Sequence, residues 1–404
     1  MRSYDFVNQI AERRISSIGF SGAGFLIAYH LGVAACFNDQ QLLHLPPPSS
    51  TSVSSSAPLT KETPNQNSKR HHRNFVKLTG VSAGSIVAAS LLAQVDPATD
   101  GMNAVLEISH MTRERARSLD ALQPGFSLID VVETVLKPLL YNATKDDPDS
   151  FLKHINTHGL LRIGLTDRRI FPPIGYNPNA FVYVDHFRSL DDIVAACILS
   201  SYIPGVTGPA LGNMARKNHA VTRAAQQLDD MIRDGCVKKG TTGETIPQSS
   251  FSMQSQQQNG NINDGNSTSS QTISGATSVR EICWDGGLVN AFPTFDQETI
   301  IVSPIAADFR YNPSISPAIE YQETTNIPSS SSSMVANAVL RKVVLNPVVT
   351  VYVTAANMAN FKMMIISSDD ELLHNKFHQG YDNAKQYCVQ NSLLNVHHHF
   401  ISRL

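Results

Sequence analysis

The sequence predicts an α/β fold of three layers, in which a mainly parallel sheet lies between two layers of helices. Short β-branched runs alternate with apolar helical stretches along most of the 404-residue chain, an order that is typical of α/β proteins. Strands in such a sheet are covered by helices on both faces. Because 42% of the residues are hydrophobic, the chain can also bury a large core.

Five strands and four helices are predicted in alternation. The strand runs are 14–20, 75–79, 160–166, 181–187 and 299–305. The helical runs are 25–37, 86–94, 190–200 and 370–394. The third helix opens with the capping pattern Ser189-x-x-Asp192. Residues 343–366 begin with a β-branched run, which predicts one or two buried strands, with a membrane-associating surface as the alternative.

Low-complexity segments divide the chain. Residues 46–73 and 239–279 are dominated by small and polar residues and are predicted to be disordered insertions, and a serine run lies in a predicted linker, 321–334. The remaining regions are an N-terminal extension (1–13), one domain (14–320) that carries all the motifs below, and a C-terminal strand and helix region (335–404) that completes or packs on that domain.

The composition argues against several classes of protein. Lys and Arg number 32 against 34 Asp and Glu, so the net charge of -2 provides no positive field that would attract nucleic acid. The 5 cysteines are widely spaced and form no Cys-x-x-Cys pair, which argues against a disulfide framework or zinc site and fits a reducing compartment. No apolar run reaches about 18 residues and no signal-sequence pattern opens the chain, so neither a spanning helix nor secretion is predicted.

The motif Gly80-Val81-Ser82-Ala83-Gly84 follows a predicted strand and leads into a predicted helix. Small residues on both sides of a serine permit the strained turn that exposes its hydroxyl at the carboxyl edge of a sheet. The start of the following helix also favours negative charge at that position. The position of the motif between a strand and a helix, more than the motif alone, indicates that Ser82 is a candidate nucleophile.

A glycine-rich loop, Ser21-Gly22-Ala23-Gly24-Phe25, lies between the first strand and the first helix. Backbone N–H groups at such a helix start can point at a developing oxyanion, which makes the loop a candidate oxyanion hole. A dinucleotide-binding loop and a plain tight turn are the alternatives. The dinucleotide fingerprint would need a glycine in place of Ile27 and an acidic residue at the end of the next strand, and both are absent.

A third motif, Asp285-Gly286-Gly287, follows a short apolar run. A carboxylate on a turn of two glycines can approach a second residue across a sheet, because its neighbours have no side chains. An ordinary Asp-Gly turn is the alternative.

Together and in this order, the motifs resemble those of the patatin-like phospholipase family. The resemblance extends over residues 14–394 apart from the insertions, and it is closest to the animal branch that contains adipose triglyceride lipase and adiponutrin. The blocks that carry it are SIGFSGAGFLIAYHLGVAACF, GVSAGSIVAAS, LRIGLTDRR, HFRSLDDIVAACILSSYIPG, WDGGLVNAFP and GYDNAKQYCVQNSLL. Ile27 stands where the family commonly has glycine, a difference expected to affect helix packing before catalysis.

The resemblance implies a patatin-like α/β/α fold and a catalytic dyad, with no metal and no cofactor. Ser82 would be the nucleophile and Asp285 the base that takes its proton. The other site residues that the resemblance implies would act through their backbone. These are the oxyanion donors Gly22, Ala23 and Gly24 and the motif glycines Gly80, Gly84, Gly286 and Gly287.

The activity implied is hydrolysis of triacylglycerol or phospholipid esters through an acyl-enzyme, or transfer of the acyl group to another lipid alcohol. The location implied is cytoplasmic and peripheral, at the surface of a lipid droplet or membrane, with a regulatory protein as a further partner. Residues 198–211 are either the contact surface or a buried loop that lines the site.

Two other functions remain as alternatives. An α/β-hydrolase would order its triad as Ser, Asp and His, and His374, His378 or residues 397–399 would supply the histidine. His374 and His378 lie four apart on a predicted helix, where an exposed or partly packed face is the more common explanation. The second alternative is a catalytically weak lipid-droplet adaptor on the same scaffold.

Overall fold

The computed structural model describes residues 15–46, 75–116, 126–167, 180–208, 219–239, 283–318, 342–346 and 349–393. The predicted extension (1–13), insertions (46–73 and 239–279) and linker (321–334) lie outside these ranges, apart from residues 46 and 239. The domain boundaries therefore stay predictions.

The described residues form strands β1–β11 and helices α1–α9. The strands are Ser17–Phe20, Lys77–Gly80, Leu161–Asp167, Phe181–Val184, Val237–Lys239, Cys283–Asp285, Ile300–Val302, Ala307–Phe309, Ser314–Ile315, Lys342–Asn346 and Val349–Tyr352. The helices are Ile27–Asp39, Ala83–Leu92, Met102–Ala116, Leu128–Ala143, Pro148–His158, Leu190–Ser200, Ala220–Arg233, Ala355–Ile365 and Asp370–Gln390. Two short 3-10 turns, Gly24–Leu26 and Gly286–Leu288, follow β1 and β6.

The main sheet has the strand order β5-β4-β3-β2-β1-β7-β9, and β6 pairs with β3 outside this path. Four neighbouring pairs in this order are parallel, namely β3–β2, β2–β1, β1–β7 and β7–β9. The pairs β3–β4, β4–β5 and β3–β6 are antiparallel. The central strands β1, β2 and β3 arise from three of the predicted β-branched runs, and their apolar residues are buried. The predicted three-layer α/β fold with a mainly parallel sheet is confirmed.

One edge of β3 is shared by two strands, and this sharing sets the position of the motifs. The first half of β3 pairs with β2, where Gly80 lies opposite Ile163. The second half pairs with β6, where Asp285 lies opposite Leu165. Leu165 also pairs with β4, so β6 must lie on the edge of β3 that β2 occupies. The chain that leaves β2 after Gly80 therefore meets the end of β6 on the same edge.

The C-terminal part of the chain contributes a second sheet and two helices. In the second sheet, β11 pairs with both β10 and β8. Helix α9 packs along α1, where Gly32 and Gly380 bring the two backbones together, because a Cβ on either glycine would overlap a carbonyl oxygen of the other helix. The buried thiols of Cys36 and Cys388 are hydrogen-bonded to each other between these helices.

Residues 343–366 are only partly strand. The first half forms β10 and β11, as predicted, whereas the second half is the helix α8, so the strand prediction is wrong there. The β-branched run ends before this point, and the Thr354 hydroxyl caps the new helix by accepting a hydrogen bond from the Asn357 N–H at 3.0 Å.

Helix boundaries also differ from the predicted ones. The run 25–37 divides into a 3-10 turn and α1, and α2 begins at Ala83, directly after the serine, instead of at residue 86. Helix α6 has the predicted bounds, and its Ser189 hydroxyl caps it by accepting from the Asp192 N–H at 3.2 Å.

Candidate active site

Ser82 lies in a tight turn between β2 and α2, which we call the serine turn (Gly80–Gly84). Its backbone has φ 52 and ψ -136, a positive φ that is uncommon for a residue with a side chain. Strain of this kind persists only where the surroundings enforce it. The carbonyl oxygen of Gly84 leaves no space for a Cβ at Gly80, and the carbonyl oxygens of Phe20 and Ser21 leave none at Gly84. Neighbouring backbone groups therefore pack directly against the turn, which is possible only because Gly80 and Gly84 have no side chains.

Side chains that the sequence analysis did not select hold the backbone of Ser82. Its N–H donates to the Ser200 hydroxyl at 2.8 Å, and that hydroxyl donates to the Gly164 carbonyl of β3 at 2.7 Å. Its carbonyl accepts from the Ser85 hydroxyl at 2.6 Å. The signal for Ser200 is weak, because it is only the polar last residue of a helix whose second half is otherwise apolar.

The glycine loop (Ser21–Gly24) lies directly beside the serine turn. A Cβ built on Gly22 would lie 3.5 Å from the Cβ of Ser82, so the backbone of the loop is within reach of the Ser82 side chain. Gly24 has φ 51, in the left-handed region that favours glycine. Among the described residues, the N–H groups of Gly22 and Ala23 donate to no protein acceptor.

A buried histidine orients this loop. The Nε2–H of His30 on α1 donates to the Ser21 carbonyl at 2.9 Å. Burial lowers the pKa of His30 to about 4, so the ring is neutral at physiological pH. Because the peptide unit is planar and trans, a Ser21 carbonyl that points at His30 makes the Gly22 N–H point the opposite way. One exposed donor of the loop is thus directed away from the core.

Asp285 reaches Ser82 from β6 through a turn that we call the aspartate turn (Asp285–Gly287). The Asp285 carboxylate accepts a hydrogen bond from the Ser82 hydroxyl and another from the Gly287 N–H at 2.7 Å. A Cβ on Gly286 would overlap the carbonyl oxygen of Gly164, so glycine is needed where the turn crosses β3.

The backbone of Asp285 is bonded at both ends. Its N–H donates to the Tyr202 carbonyl at 3.0 Å, and its carbonyl accepts from the Thr166 hydroxyl at 2.6 Å. The residue is only 4% exposed. Burial raises the pKa of Asp285 to about 6, although the hydrogen bonds from Ser82 and Gly287 oppose the increase. The carboxylate is therefore a stronger base than an exposed aspartate, and it is ionised at neutral pH.

The histidines proposed for a triad lie elsewhere. His374 and His378 are exposed on α9, and residues 397–399 lie outside the described ranges. The Ser82 hydroxyl bonds directly to the carboxylate, without an intervening imidazole. Within the described ranges, no group of three or more His, Cys, Asp or Glu side chains is arranged to hold a metal ion.

The segment 198–211 is partly buried in its described residues, 198–208. Ile198, Leu199 and Tyr202 are buried, and residues 209–211 lie outside the described ranges. This burial favours the loop that lines the site over the contact surface. None of the described helices is long and apolar enough to span a membrane.

Comparisons with known proteins identify the family of the chain. The family model described as patatin-like phospholipase matches residues 19–296, a range that contains the glycine loop and both turns. The human protein named patatin-like phospholipase domain-containing protein 2 is 28% identical over 198 residues. That match covers 48% of this chain but only 30% of the human protein. No solved structure matches the chain. Since the family model matches well over half of the sequence, this chain belongs to the patatin-like phospholipase family.

Proposed function

We propose that this protein is a lipid acyl-ester hydrolase that uses Ser82 and Asp285 as a catalytic dyad. The observation that carries the proposal is the direct hydrogen bond from the Ser82 hydroxyl to a buried carboxylate whose pKa is raised to about 6. A serine hydroxyl becomes nucleophilic when an adjacent base takes its proton. The positive φ of Ser82 and the N–H groups of Gly22 and Ala23, which donate to no acceptor within the described ranges, support the two other requirements of acyl transfer, a positioned nucleophile and an oxyanion hole.

The reaction has two steps. The Ser82 oxygen attacks the ester carbonyl carbon, its proton moves to Asp285, and the negative charge on the carbonyl oxygen is stabilised by the N–H groups of Gly22, Ala23 and Gly24. Asp285 returns the proton to the alcohol as the ester C–O bond breaks, which leaves an acyl group on Ser82. Water then attacks the acyl-enzyme and Asp285 takes its proton. As the bond between the acyl carbon and the Ser82 oxygen breaks, Asp285 returns the proton to that oxygen and the fatty acid leaves. A lipid alcohol in place of water would give transacylation.

The lipid nature of the ester is proposed from the family, which is described as patatin-like phospholipase. Triacylglycerol and phospholipid are the substrate classes we infer. Their insolubility would require the cytoplasmic protein to work at the surface of a lipid droplet or membrane, with a regulatory protein as a further partner. Polar headgroups would stay at that surface, so only the ester and acyl chains need to enter the site.

A fluorophosphonate probe tests the dyad, because it phosphonylates activated serines in water without any lipid. We expect the wild-type protein to be labelled at Ser82 and Ser82→Ala to be unlabelled. Asp285→Asn should be labelled at least about 1000-fold more slowly, because the base that activates the hydroxyl is lost. Mapping of the labelled peptide and circular dichroism of each variant complete the measurement.

His374→Ala is the matched control, since this exposed histidine bonds to neither residue of the dyad. It should be labelled at the wild-type rate. Labelling at another residue, or rapid labelling of Asp285→Asn, would refute the dyad. A collapse of labelling in His374→Ala would favour a triad instead.

A further inference from the structure

Helix α8 (Ala355–Ile365) places polar residues inside and apolar residues outside, which reverses the usual pattern of a surface helix. Asn357 and Asn360 are buried, at 1% and 4% exposure. Met358, Phe361 and Ile365 are 57%, 41% and 42% exposed. These three lie at i, i+3 and i+7 and form one continuous stripe along the helix, here called the apolar stripe.

The two asparagines fix the rotation of α8 about its axis. The Asn357 amide accepts from the Ala306 N–H at 2.9 Å and donates to the carbonyls of Ala306 and Tyr352, each at 2.8 Å. The Asn360 amide donates to the Pro304 carbonyl at 3.0 Å. Turning the helix to bury the apolar stripe would break all four bonds and leave buried polar groups without partners, which is costly. The outward position of the stripe is therefore built into the fold.

The helix also lies directly on the candidate active site. A Cβ on Gly24 would overlap the carbonyl oxygen of Met364, so the last turn of α8 packs backbone to backbone on the glycine loop. The side chain of Met364 packs against the hydrophobic core. The apolar stripe thus lies on the outer side of a helix that packs on Gly24, one of the candidate oxyanion donors.

The size and charge of this surface indicate what it contacts. Three half-exposed side chains offer on the order of 300 Å², well below the roughly 800 Å² per partner of a stable protein interface. Lys362, exposed beside the stripe, is the only charged residue on α8. An apolar face with a flanking cation complements a lipid surface, where acyl chains lie beneath anionic headgroups.

We propose that the apolar stripe and Lys362 dock the protein on a lipid surface that contains anionic phospholipid, which brings the glycine loop beneath α8 close to that surface. The inference rests on the proposed function for its purpose, because it would deliver insoluble esters to Ser82. It also assigns the lipid contact to α8 and not to residues 198–211, of which Ile198 and Leu199 are buried.

Tryptophan fluorescence can locate the contact, since the chain has a single tryptophan, Trp284. Phe361→Trp is placed in the Ser82→Ala protein, which removes catalysis and so separates binding from the proposed chemistry. With vesicles of phosphatidylcholine and phosphatidylserine, its added emission should shift to the blue and be quenched by brominated acyl chains. Val389→Trp is the matched control, because Val389 is 60% exposed on α9, and its emission should not change.

A flotation assay with the same vesicles measures the contribution of the stripe. Changing Met358, Phe361 and Ile365 together to Gln should weaken binding on the order of 100-fold, because apolar area is no longer buried. The paired control Ile232→Gln and Val389→Gln removes exposed apolar residues elsewhere and should bind like the wild type. Lys362→Gln should weaken binding to anionic vesicles about fivefold and have no effect on neutral ones.

Three results would overturn the proposal. The first is flotation of the triple Gln variant with wild-type affinity while circular dichroism shows the fold intact. The second is Phe361→Trp emission that is already shielded from acrylamide without vesicles, which would show that another part of the chain covers the stripe. The third is a protein that sediments as a dimer until the stripe is changed, which would make a second copy the occupant.

Discussion

The serine turn and the aspartate turn meet at one edge of β3, but they hold their functional residues by different means. The serine turn works by exclusion of volume: backbone oxygens surround Gly80 and Gly84 so closely that no side chain fits, and Ser82 takes a positive φ between them. The aspartate turn works by hydrogen bonding and burial. Its carboxylate accepts two hydrogen bonds, and both ends of its backbone are bonded to neighbouring elements.

This difference separates two requirements of the proposed chemistry. The nucleophile needs an exact direction, which rigid backbone contacts provide because they cannot rotate away. The base needs a raised pKa, which burial provides at the expense of stability. Changes in the serine turn should therefore act mainly through geometry, and changes in the aspartate turn mainly through charge.

Among changes that leave the Ser82 and Asp285 side chains in place, the largest effect on labelling is expected from Gly84→Ala. Its Cβ would overlap the carbonyl oxygens of Phe20 and Ser21, so β1 and α2 would have to move apart and carry the glycine loop away from Ser82. A shift of about 1 Å at a reacting group costs on the order of 100-fold in rate, and overpacking costs about 1–3 kcal/mol in stability. The rate of fluorophosphonate labelling and urea unfolding measure the two effects.

Gly287→Ala provides the contrast from the other turn. Its Cβ would lie 3.0 Å from Asp285 Oδ1, a side-chain atom that can move by a few tenths of an ångström. We expect labelling to slow by about tenfold or less. Equal losses in the two alanine variants would show that the turns do not differ in rigidity.

The second prediction concerns charge and stability. The pKa of Asp285 is about 6 in the folded protein against 3.8 for an ordinary aspartate, so the unfolded chain releases this proton at lower pH than the folded one. The carboxylate therefore destabilises the fold progressively as pH rises from about 4 to about 6. The total is on the order of 3 kcal/mol, since each pKa unit is worth about 1.4 kcal/mol.

Asp285→Asn removes the buried charge and keeps an oxygen that can accept from the Gly287 N–H. At pH 8 the variant should be more stable than the wild type by up to about 3 kcal/mol, and at pH 4 the difference should shrink. Urea unfolding of both proteins at the two pH values is the measurement. Greater stability of the wild type at pH 8 would show that the hydrogen bonds to the carboxylate outweigh its burial.

The sequence allowed the prediction of those parts of the fold and site that local chemistry determines. Glycines beside Ser82 and Asp285 indicated close backbone contacts, and β-branched runs predicted the central strands. The contact between the two turns could not be predicted from local sequence. It depends on β6 pairing with the same edge of β3, beyond the point where β2 ends. Only the resemblance to a family linked them in advance.

Helix α8 was missed because its pattern opposes the rule used to find helices. Apolar periodicity identifies a helix by the face that it buries, but here Asn357 and Asn360 are inside and the apolar stripe is outside. Four other helices, α3, α4, α5 and α7, were also absent from the predicted elements. Those four helices carry none of the motifs, so their absence did not affect the predicted site. Helix α8 matters more, because it packs on the glycine loop.

The last comparison tests the supporting hydrogen bonds of the serine turn with two adjacent residues. Ser200→Ala leaves the Ser82 N–H and the Gly164 carbonyl without their shared partner, which should cost about 1–3 kcal/mol in stability and slow labelling by about tenfold. Ser201 is also buried, but among the described residues its hydroxyl has no hydrogen-bond partner.

Removing an unsatisfied buried hydroxyl is close to neutral or slightly stabilising, so Ser201→Ala should unfold and label like the wild type. The two substitutions delete the same atom one residue apart at the end of α6, and they differ only in the bonds that are lost. Equal behaviour in urea unfolding and in labelling would mean that the backbone contacts of Gly80 and Gly84 alone hold Ser82. A loss confined to Ser200→Ala would show that the turn also depends on the hydroxyl that ties it to β3.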